Sequence, residues 1–356
     1  MKNRIGAICH MNRDSAEKDI YILGIESSCD ETAASVTKNG RKILSNVVST
    51  QIKDHAPFGG VVPEIASRKH VELMIPAIDG AIKQSGISPD SLAAVAVTYG
   101  PGLAGALLTG VAAAKGLAYA WNKPLIGVNH ISGHISANYL DHEELEPPFI
   151  CLVASGGHSH IILVDDYGEY RLLGQTRDDA AGEAFDKVAR VIGLGYPGGV
   201  QIDRLAAKGN MNAYHFPTTD FGGDSLDFSF SGIKTAVINT VNKLAQNGEG
   251  YDPADIAASF QNAVTAVLVK NTLRAAEKVG IDTVCVAGGV GANSVLRERL
   301  TAAGEKAGKR VLLPTKELCG DNAAMISCAG YYKYIKGEYA ELSLDAEPRD
   351  VIWRKY

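Results

Sequence analysis

The alternation of apolar and polar positions predicts a repeated unit of short strands, beginning in the first half of the chain. A buried strand is predicted at Ile20–Ile25, and a polar loop at Glu26–Thr32 leads into a second strand at Ala33–Thr37. The dipeptide Asn39-Gly40 is a strong signal for a tight hairpin turn. A third strand at Lys42–Ser49 therefore completes an antiparallel meander.

The second half of the chain begins with the same pattern. A strand at Phe149–Ala154 is followed by the polar glycine loop Ser155–Ser159 and by strands at His160–Val164 and Tyr170–Gly174. The shared order of strand, small polar loop, strand, turn and strand predicts an α/β fold of two duplicated lobes around a central cleft. Both polar loops are then expected at the floor of that cleft.

Helical periodicity is found between these strand units. Helices are predicted at Val61–Ser85 and Gly102–Ala120, and strands at Ala93–Thr98 and Leu125–Val128. The run Gly102–Ala120 is rich in glycine and alanine and contains Lys115, which favours a buried helix over a membrane span. We therefore expect a cytoplasmic protein with no membrane partner.

The pattern also predicts the domain boundaries. We expect an N-terminal leader at 1–18, a first lobe at 19–128, a helical connection at 129–148 and a second lobe at 149–334. The C-terminal residues 335–356 could return to the first lobe.

Composition narrows the class of protein only in part. A chain of 356 residues is long enough for two domains, and 38 glycines favour many tight strand–loop–helix junctions. A formal charge of −5 does not indicate nucleic-acid binding, yet a local basic face or a basic partner leaves an RNA substrate open. Six scattered cysteines without a C-x-x-C pair predict free thiols in a reducing compartment.

Two histidines, His130 and His134, have the spacing of metal ligands on one face of a helix. They follow a predicted strand, where α/β proteins place their sites. The glutamate of H-E-x-x-H is missing, so the general base of the common zinc proteases is absent. Asp321 is the candidate third ligand, with a helix N-cap as its alternative role. Such a set leaves coordination positions open, which suits catalytic iron or zinc.

Two glycine-rich segments follow buried strands. They are Val153-Ala154-Ser155-Gly156-Gly157-His158 and Ala287–Asn293, and the second leads directly into a predicted helix. Backbone N–H groups in such loops bind phosphates, although two tight turns would have the same composition.

Carboxylates near these loops are the remaining candidates. Asp30 and Glu31 follow the first strand and are candidates for proton transfer or substrate positioning. Asp186 and Asp203 could bind ligand hydroxyls or form surface salt bridges, and Lys234 could contact a phosphate or be solvated.

Together these segments resemble the TsaD family, the tRNA N6-adenosine threonylcarbamoyltransferases of the actin, sugar-kinase and heat-shock ATPase (ASKHA) superfamily. The resemblance extends from about residue 20 to about residue 350. It is carried by seven motifs: Gly24–Thr32, Gly59–Glu64, Gly100–Leu103, His130–His134, Ser155–His158, Gly288–Asn293 and Gly320–Ala323.

The resemblance implies transfer of a threonylcarbamoyl group from threonylcarbamoyl-adenylate to N6 of the adenosine next to the anticodon, in tRNAs that read codons beginning with A. It implies two ASKHA lobes, an Fe2+ ion (with Zn2+ or Mg2+ as alternatives), and two partners, a TsaB-like paralogue and a TsaE-like ATPase. By position, the metal ligands would be His130, His134 and Asp321. The adenylate would be bound by Val153, Ala154, Ser155, Gly156, Gly157, Asp186, Gly199, Asp203 and Asn293. An ASKHA ATPase or kinase, a metalloprotease and a non-catalytic scaffold are the alternatives.

Overall fold

The computed structural model describes residues 19–349 and 351–352. The leader expected at 1–18 lies outside the described residues.

The described residues form two five-stranded sheets. The strands are β1 (Tyr21–Glu26), β2 (Glu31–Lys38), β3 (Lys42–Thr50), β4 (Leu92–Gly100), β5 (Leu125–Asn129), β6 (Phe149–Ala154), β7 (Ser159–Asp166), β8 (Glu169–Gln175), β9 (Thr283–Ala287) and β10 (Arg310–Leu312). The orders are β3-β2-β1-β4-β5 and β10-β9-β6-β7-β8.

The two sheets have the same topology. In each, the first strand pairs antiparallel with the second on one side and parallel with the fourth on the other, as β1 does with β2 and β4 and β6 does with β7 and β9. This equivalence confirms the expectation of two duplicated lobes.

Helices cover both sheets. They are α1 (Ile52–His55), α2 (Pro63–Ser85), α3 (Ala104–Ala120), α4 (His130–Asp141), α5 (Ala181–Val191), α6 (Gly198–Ala206), α7 (Ser231–Gln246), α8 (Pro253–Val279), α9 (Ser294–Lys306), α10 (Lys316–Cys319) and α11 (Ala323–Ile335). Short 3₁₀ helices lie at Ala56–Phe58, Pro89–Ser91 and Gly289–Ala292. Among the helices described, none is long and apolar enough to span a bilayer.

Alternate side chains of each strand pack into different layers, because successive residues of a strand point to opposite faces. Leu23 and Ile25 of β1 pack with α2 and α3 on the outer face, whereas Ile22 packs in the central layer with α4 and α11. In the second sheet, Cys151 lies in the central layer and Leu152 in the outer core. Helices α4 and α11 are therefore enclosed between the sheets.

Strand β2 begins earlier than the sequence indicated. Glu31 and Thr32, expected in the loop Glu26–Thr32, already pair with Thr50 and Ser49 of β3. Their pairing with the far end of β3 is a long-range contact, which local composition does not encode.

Helix α11 lies directly on the first sheet. At Gly24 of β1, a Cβ would lie 2.5 Å from the carbonyl oxygen of Ala323. The chain after α11 returns to the same sheet, where Ala340 bridges to Leu125. We therefore propose that the first lobe takes in the residues from Ala323 onward, rather than only those from 335 onward.

Substitution of Gly24 tests this contact. Gly24→Ala should lower the free energy of unfolding by about 1–3 kcal/mol, because the added methyl group forces β1 and α11 apart. Gly116→Ala is the matched control, since Gly116 of α3 is exposed with open space around its Cβ position. The control should be neutral or raise stability by about 1 kcal/mol. Equal stability of the two variants in denaturant unfolding would contradict the close packing.

Candidate active site

The two histidines lie on the first turns of α4, immediately after β5. The side chain of Asn129 caps this helix by accepting hydrogen bonds from the backbone N–H groups of Ile131 at 2.8 Å and Ser132 at 3.4 Å. The i, i+4 spacing then places both imidazoles on one face, with their ring centroids 4.5 Å apart. The predicted position at the end of a strand is confirmed.

Asp321 reaches the histidines because α11 packs closely against α4. A Cβ at Gly133 would lie 2.6 Å from Cδ1 of Ile326, so a larger residue between the histidines would require the Ile326 side chain to shift. Oδ1 of Asp321 lies 3.1 Å from Nε2 of His134 and 3.6 Å from Nε2 of His130. The alternative role of Asp321 as a helix cap is wrong, since Asn322 caps α11 by accepting from Met325 N at 3.0 Å.

Glu26, at the end of β1, supports the histidine pair from behind. Its carboxylate is fully buried, accepts from the Thr98 hydroxyl at 2.6 Å and lies 3.1 Å from Nδ1 of His130. Contact of Nδ1 with a carboxylate leaves Nε2 directed at Asp321, as in carboxylate–histidine–metal sites. Sequence reasoning missed this residue, although it belongs to the motif Gly24–Thr32 and begins the polar loop.

The charges in this group depend on one another. Burial opposes ionisation, but Asp321 and Glu26 together raise the pKa of His130 to about 9. Burial likewise opposes ionisation of Asp321, whose pKa His130 and His134 nevertheless hold well below its usual range. In the metal-free protein His130 is therefore a protonated imidazolium, and Asp321 is an ionised carboxylate.

The group fits a divalent metal ion. One ligand atom from each of His130, His134 and Asp321 lies within 4.8 Å of the others. His134 is fully buried, yet within the described chain neither of its ring nitrogens makes a hydrogen bond of good geometry. Buried nitrogens without a hydrogen bond destabilise the fold, and coordination of an ion by His134 would remove that free-energy cost. Two histidines with one carboxylate are also the donor set of non-haem iron sites.

Asp30 and Glu31 lie at the start of β2, close to this group. Asp30 is 6% exposed and accepts a hydrogen bond from the Tyr196 hydroxyl of the second lobe at 3.3 Å. Burial, Asp321 and Asp30 raise the pKa of Glu31 to about 10, and Glu31 also accepts from Thr50 at 3.2 Å. Glu31 therefore carries a proton at neutral pH.

A cleft of about 530 Å³ lies in the second lobe beside these residues, a volume typical of small-molecule sites. It brings together five of the expected binding residues: Gly156, Asp186, Gly199, Asp203 and Asn293. Phe185, Val200 and Lys316 also line it. Lys316 was not identified from the sequence, because its position at the cleft depends on the fold.

The remaining expected residues do not line the cleft. Val153 and Ala154 are fully buried in β6, so their side chains belong to the core. Ser155 and Gly157 belong to the loop that contains Gly156, and the Ser155 hydroxyl accepts from the backbone N–H of His158 at 3.2 Å. Contacts between this segment and a ligand in the cleft must therefore come mainly from the backbone of the loop.

The polar side chains of the cleft also organise its walls. Asp186 accepts from the N–H of Gly198 at 2.7 Å, and Asp203 accepts from the Ser294 hydroxyl at 2.7 Å. Asn293 caps α9 by accepting from Leu296 N at 2.9 Å. These bonds hold the starts of α6 and α9 at the cleft, where helix N-termini favour anions.

Lys234, a candidate phosphate contact or solvated side chain, forms an ion pair with Asp179. His158 lies near the histidine pair, and burial together with His130 lowers its pKa to about 3, so its imidazole is neutral.

Comparison with known proteins identifies the family of this chain. The family model described as TsaD, tRNA N6-adenosine threonylcarbamoyltransferase, matches residues 42–328. The chain belongs to the TsaD family. A tRNA N6-adenosine threonylcarbamoyltransferase of Clostridium perfringens (strain ATCC 13124) is 57% identical over 327 residues, covering 92% of this chain and 96% of that protein. One from Clostridium botulinum (strain Hall) is 56% identical over 332 residues, covering 93% and 98%.

Solved structures share the fold of this TsaD-family chain. HypF from T. kodakarensis superposes with a TM-score of 0.61 at 15% identity, covering 92% of this chain and 49% of that one. Component A of (R)-2-hydroxyglutaryl-CoA dehydratase from Acidaminococcus fermentans gives 0.53 at 16% identity, covering 89% and 99%. These similarities confirm the expected pair of ASKHA-type lobes.

Metal binding tests the His130–His134–Asp321 group. We expect one divalent ion per chain, lost in His134→Ala, and an affinity about 10–100-fold weaker in Glu26→Gln. Because the ion must displace the proton of His130, affinity should rise from pH 6 to about pH 9. Calorimetry and metal analysis measure both effects, with His215→Ala at an exposed position as control. Full metal content in His134→Ala would rule out this ligand set.

Proposed function

We propose that this protein transfers the threonylcarbamoyl group of threonylcarbamoyl-adenylate to N6 of the adenosine next to the anticodon of tRNA, releasing AMP. The observation that carries the proposal is the metal-ligand group beside a nucleotide-sized cleft, in a chain of this family. The tRNAs are those that read codons beginning with A.

His130, His134 and Asp321 hold the metal ion in this proposal, and Fe2+ is favoured over Zn2+ or Mg2+ by the donor set. When bound, such an ion supplies Lewis-acid polarisation of a carbonyl. Glu26 keeps His130 oriented, and the buried surroundings of His134 exclude water from the ligand atoms.

The cleft of the second lobe binds the adenylate. Asp186 and Asp203 are placed to accept hydrogen bonds from ribose hydroxyls, while the loops at Gly156 and Gly289 allow backbone N–H groups to approach the phosphate. Lys316 at the rim adds a positive charge for the departing AMP.

The transfer also needs a proton acceptor. As N6 of adenine forms its bond to the carbamoyl carbon, the bond from that carbon to the phosphate oxygen breaks and N6 must lose a proton. Asp30 is the better acceptor of the two candidates, because the Tyr196 hydroxyl orients its carboxylate, whereas burial and the neighbouring acids raise the pKa of Glu31.

Helix α2 provides a surface for the TsaB-like paralogue. The family resemblance implies that the segment Glu64–Glu72 of this helix contributes to the surface; Val71 within it and Ile75 one turn later are 68% and 62% exposed. Apolar side chains this exposed on one helix are typical of a protein interface. The TsaE-like ATPase acts together with this chain and its paralogue. Because the substrate is tRNA, the reaction takes place in the cytoplasm.

A transfer assay with His134→Ala tests the function. Wild-type protein with its partners, threonylcarbamoyl-adenylate and unmodified tRNA should yield modified adenosine, measured by mass spectrometry of digested tRNA. His134→Ala should lower the rate by roughly 10²–10³-fold, since carbonyl polarisation contributes several kcal/mol to the barrier. His215→Ala should retain the wild-type rate.

Each alternative function has its own outcome. Equal modification by wild type and His134→Ala would exclude the metal assignment. No modification by wild type, even with partners, would reject the transferase and favour an ATPase or kinase of the same superfamily, measured as phosphate release. Metal-dependent cleavage of a glycoprotein would instead support a metalloprotease, and transfer unaffected by substitution at His130 would indicate a scaffold.

Substitution on α2 tests the paralogue surface. Val71→Glu should weaken binding to the paralogue by about tenfold or more, because a charge replaces an apolar contact. Met211→Glu is the matched control, at an exposed apolar position of the second lobe. Calorimetric titration with the paralogue measures both, and unchanged affinity in Val71→Glu would place the interface elsewhere.

A further inference from the structure

We propose that Tyr196 is a positioning residue that holds the carboxylate of Asp30 across the cleft while Asp30 accepts the proton from N6. This inference rests on the proposed transferase function and assigns a role to a residue outside the metal and adenylate groups.

Tyr196 lies in the connection between α5 and α6 of the second lobe. Its hydroxyl donates to Oδ2 of Asp30 over 3.3 Å, although the two residues are 166 positions apart in the chain. Tyr196 is half-buried, and burial together with Asp30 raises its pKa above the usual range. The hydroxyl therefore stays protonated and remains a donor throughout the working pH range.

The first lobe fixes the backbone around Asp30. The carbonyl of Cys29 accepts from Nε2 of His70 at 2.9 Å, and the carbonyl of Asp30 accepts from the N–H of Gln51 at 3.0 Å. With the backbone anchored on both sides, the remaining freedom is rotation of the Asp30 side chain. The Tyr196 hydroxyl restricts that rotation from the opposite lobe.

The segment that contains Tyr196 also forms one wall of the adenylate cleft. Pro197 and Gly199 line the cleft, and the N–H of Gly198 donates to Asp186 at 2.7 Å. An adenylate bound here contacts the residues next to Tyr196. Occupancy of the cleft and orientation of Asp30 are thereby linked through a few consecutive residues.

Several ionisable groups face Asp30. Cys29 and Glu31 flank it in its own segment, His70 approaches from α2, and Asp186 from α5. Among these surroundings, Tyr196 supplies a hydrogen bond to Oδ2 of Asp30 from the second lobe. Removal of that donor should therefore leave the Asp30 side chain freer to rotate.

The lobes have a second contact that does not involve this pair. Arg190 of α5 donates a hydrogen bond to the carbonyl of Gly59 in the first lobe. Loss of the Tyr196 hydroxyl should therefore leave the lobes in place and change only the orientation of the Asp30 carboxylate.

The decisive variant is Tyr196→Phe, which removes one oxygen atom and keeps the ring. We expect kcat to fall roughly tenfold, with KM for threonylcarbamoyl-adenylate within about twofold of wild type. Because Asp30 acts only in the transfer step, a fall in kcat at constant KM is the result expected of a positioning residue. A merely structural role would raise KM or lower the unfolding midpoint as well.

Tyr214→Phe is the matched control, a tyrosine of the second lobe that stacks on Phe216 away from the cleft. It should leave both kcat and KM unchanged. Unfolding midpoints of both variants establish that neither is misfolded at the assay temperature.

Asp30→Asn is the second variant. It keeps an acceptor for the Tyr196 hydroxyl but cannot take a proton, so transfer should fall at every pH while adenylate affinity, measured by calorimetry, is retained. Wild-type activity in Asp30→Asn, or a wild-type kcat in Tyr196→Phe, would overturn the inference and leave the transferase function standing. Absence of transfer in wild type would instead overturn both.

Discussion

The arrangement of the site depends on the close contact of α11 with β1 and α4. Gly24 and Gly133 lie at the two contact points, where an added Cβ would meet the backbone of α11 at Gly24 and the Ile326 side chain at Gly133. Because Asp321 lies just before α11, this packing brings its carboxylate to the two histidines of α4. The helix–sheet distance thus requires glycine at Gly24, and the interhelical distance favours it at Gly133.

The same packing explains why charged groups lie in the middle of the molecule. Helices α4 and α11 are enclosed by two sheets, so Glu26 and His130 are buried and Asp321 is only 19% exposed, and the three groups interact strongly with one another. Three ionisable groups in this layer are costly unless they are paired or bind an ion. The stability cost at the site therefore supports a functional rather than a structural reason for the cluster.

The two duplicated lobes contribute different groups to the site. In the first lobe, the segment after β1 presents Asp30, and in the second, the segment after β6 presents the glycine loop around Gly156. These equivalent connections thus contribute different groups, a carboxylate from the first lobe and backbone N–H donors from the second. Tyr196 crosses between them, which makes the cleft a single site built from both halves.

Most strands, the helices α2, α3, α4 and α9, the histidine pair and the glycine loops could be predicted from the sequence, because periodicity, turn residues and i, i+4 spacing are local properties. Local signals could not decide whether Asp321 binds a metal or caps a helix, or whether Glu31 belongs to a loop or to β2. They placed Glu26 in a polar loop without showing its contact with His130, and they gave no indication that Lys316 and Tyr196 join the site, since these residues meet their partners only through contacts between distant segments. Local sequence thus determined the elements, and the packing of two sheets around α4 and α11 decided which side chains meet.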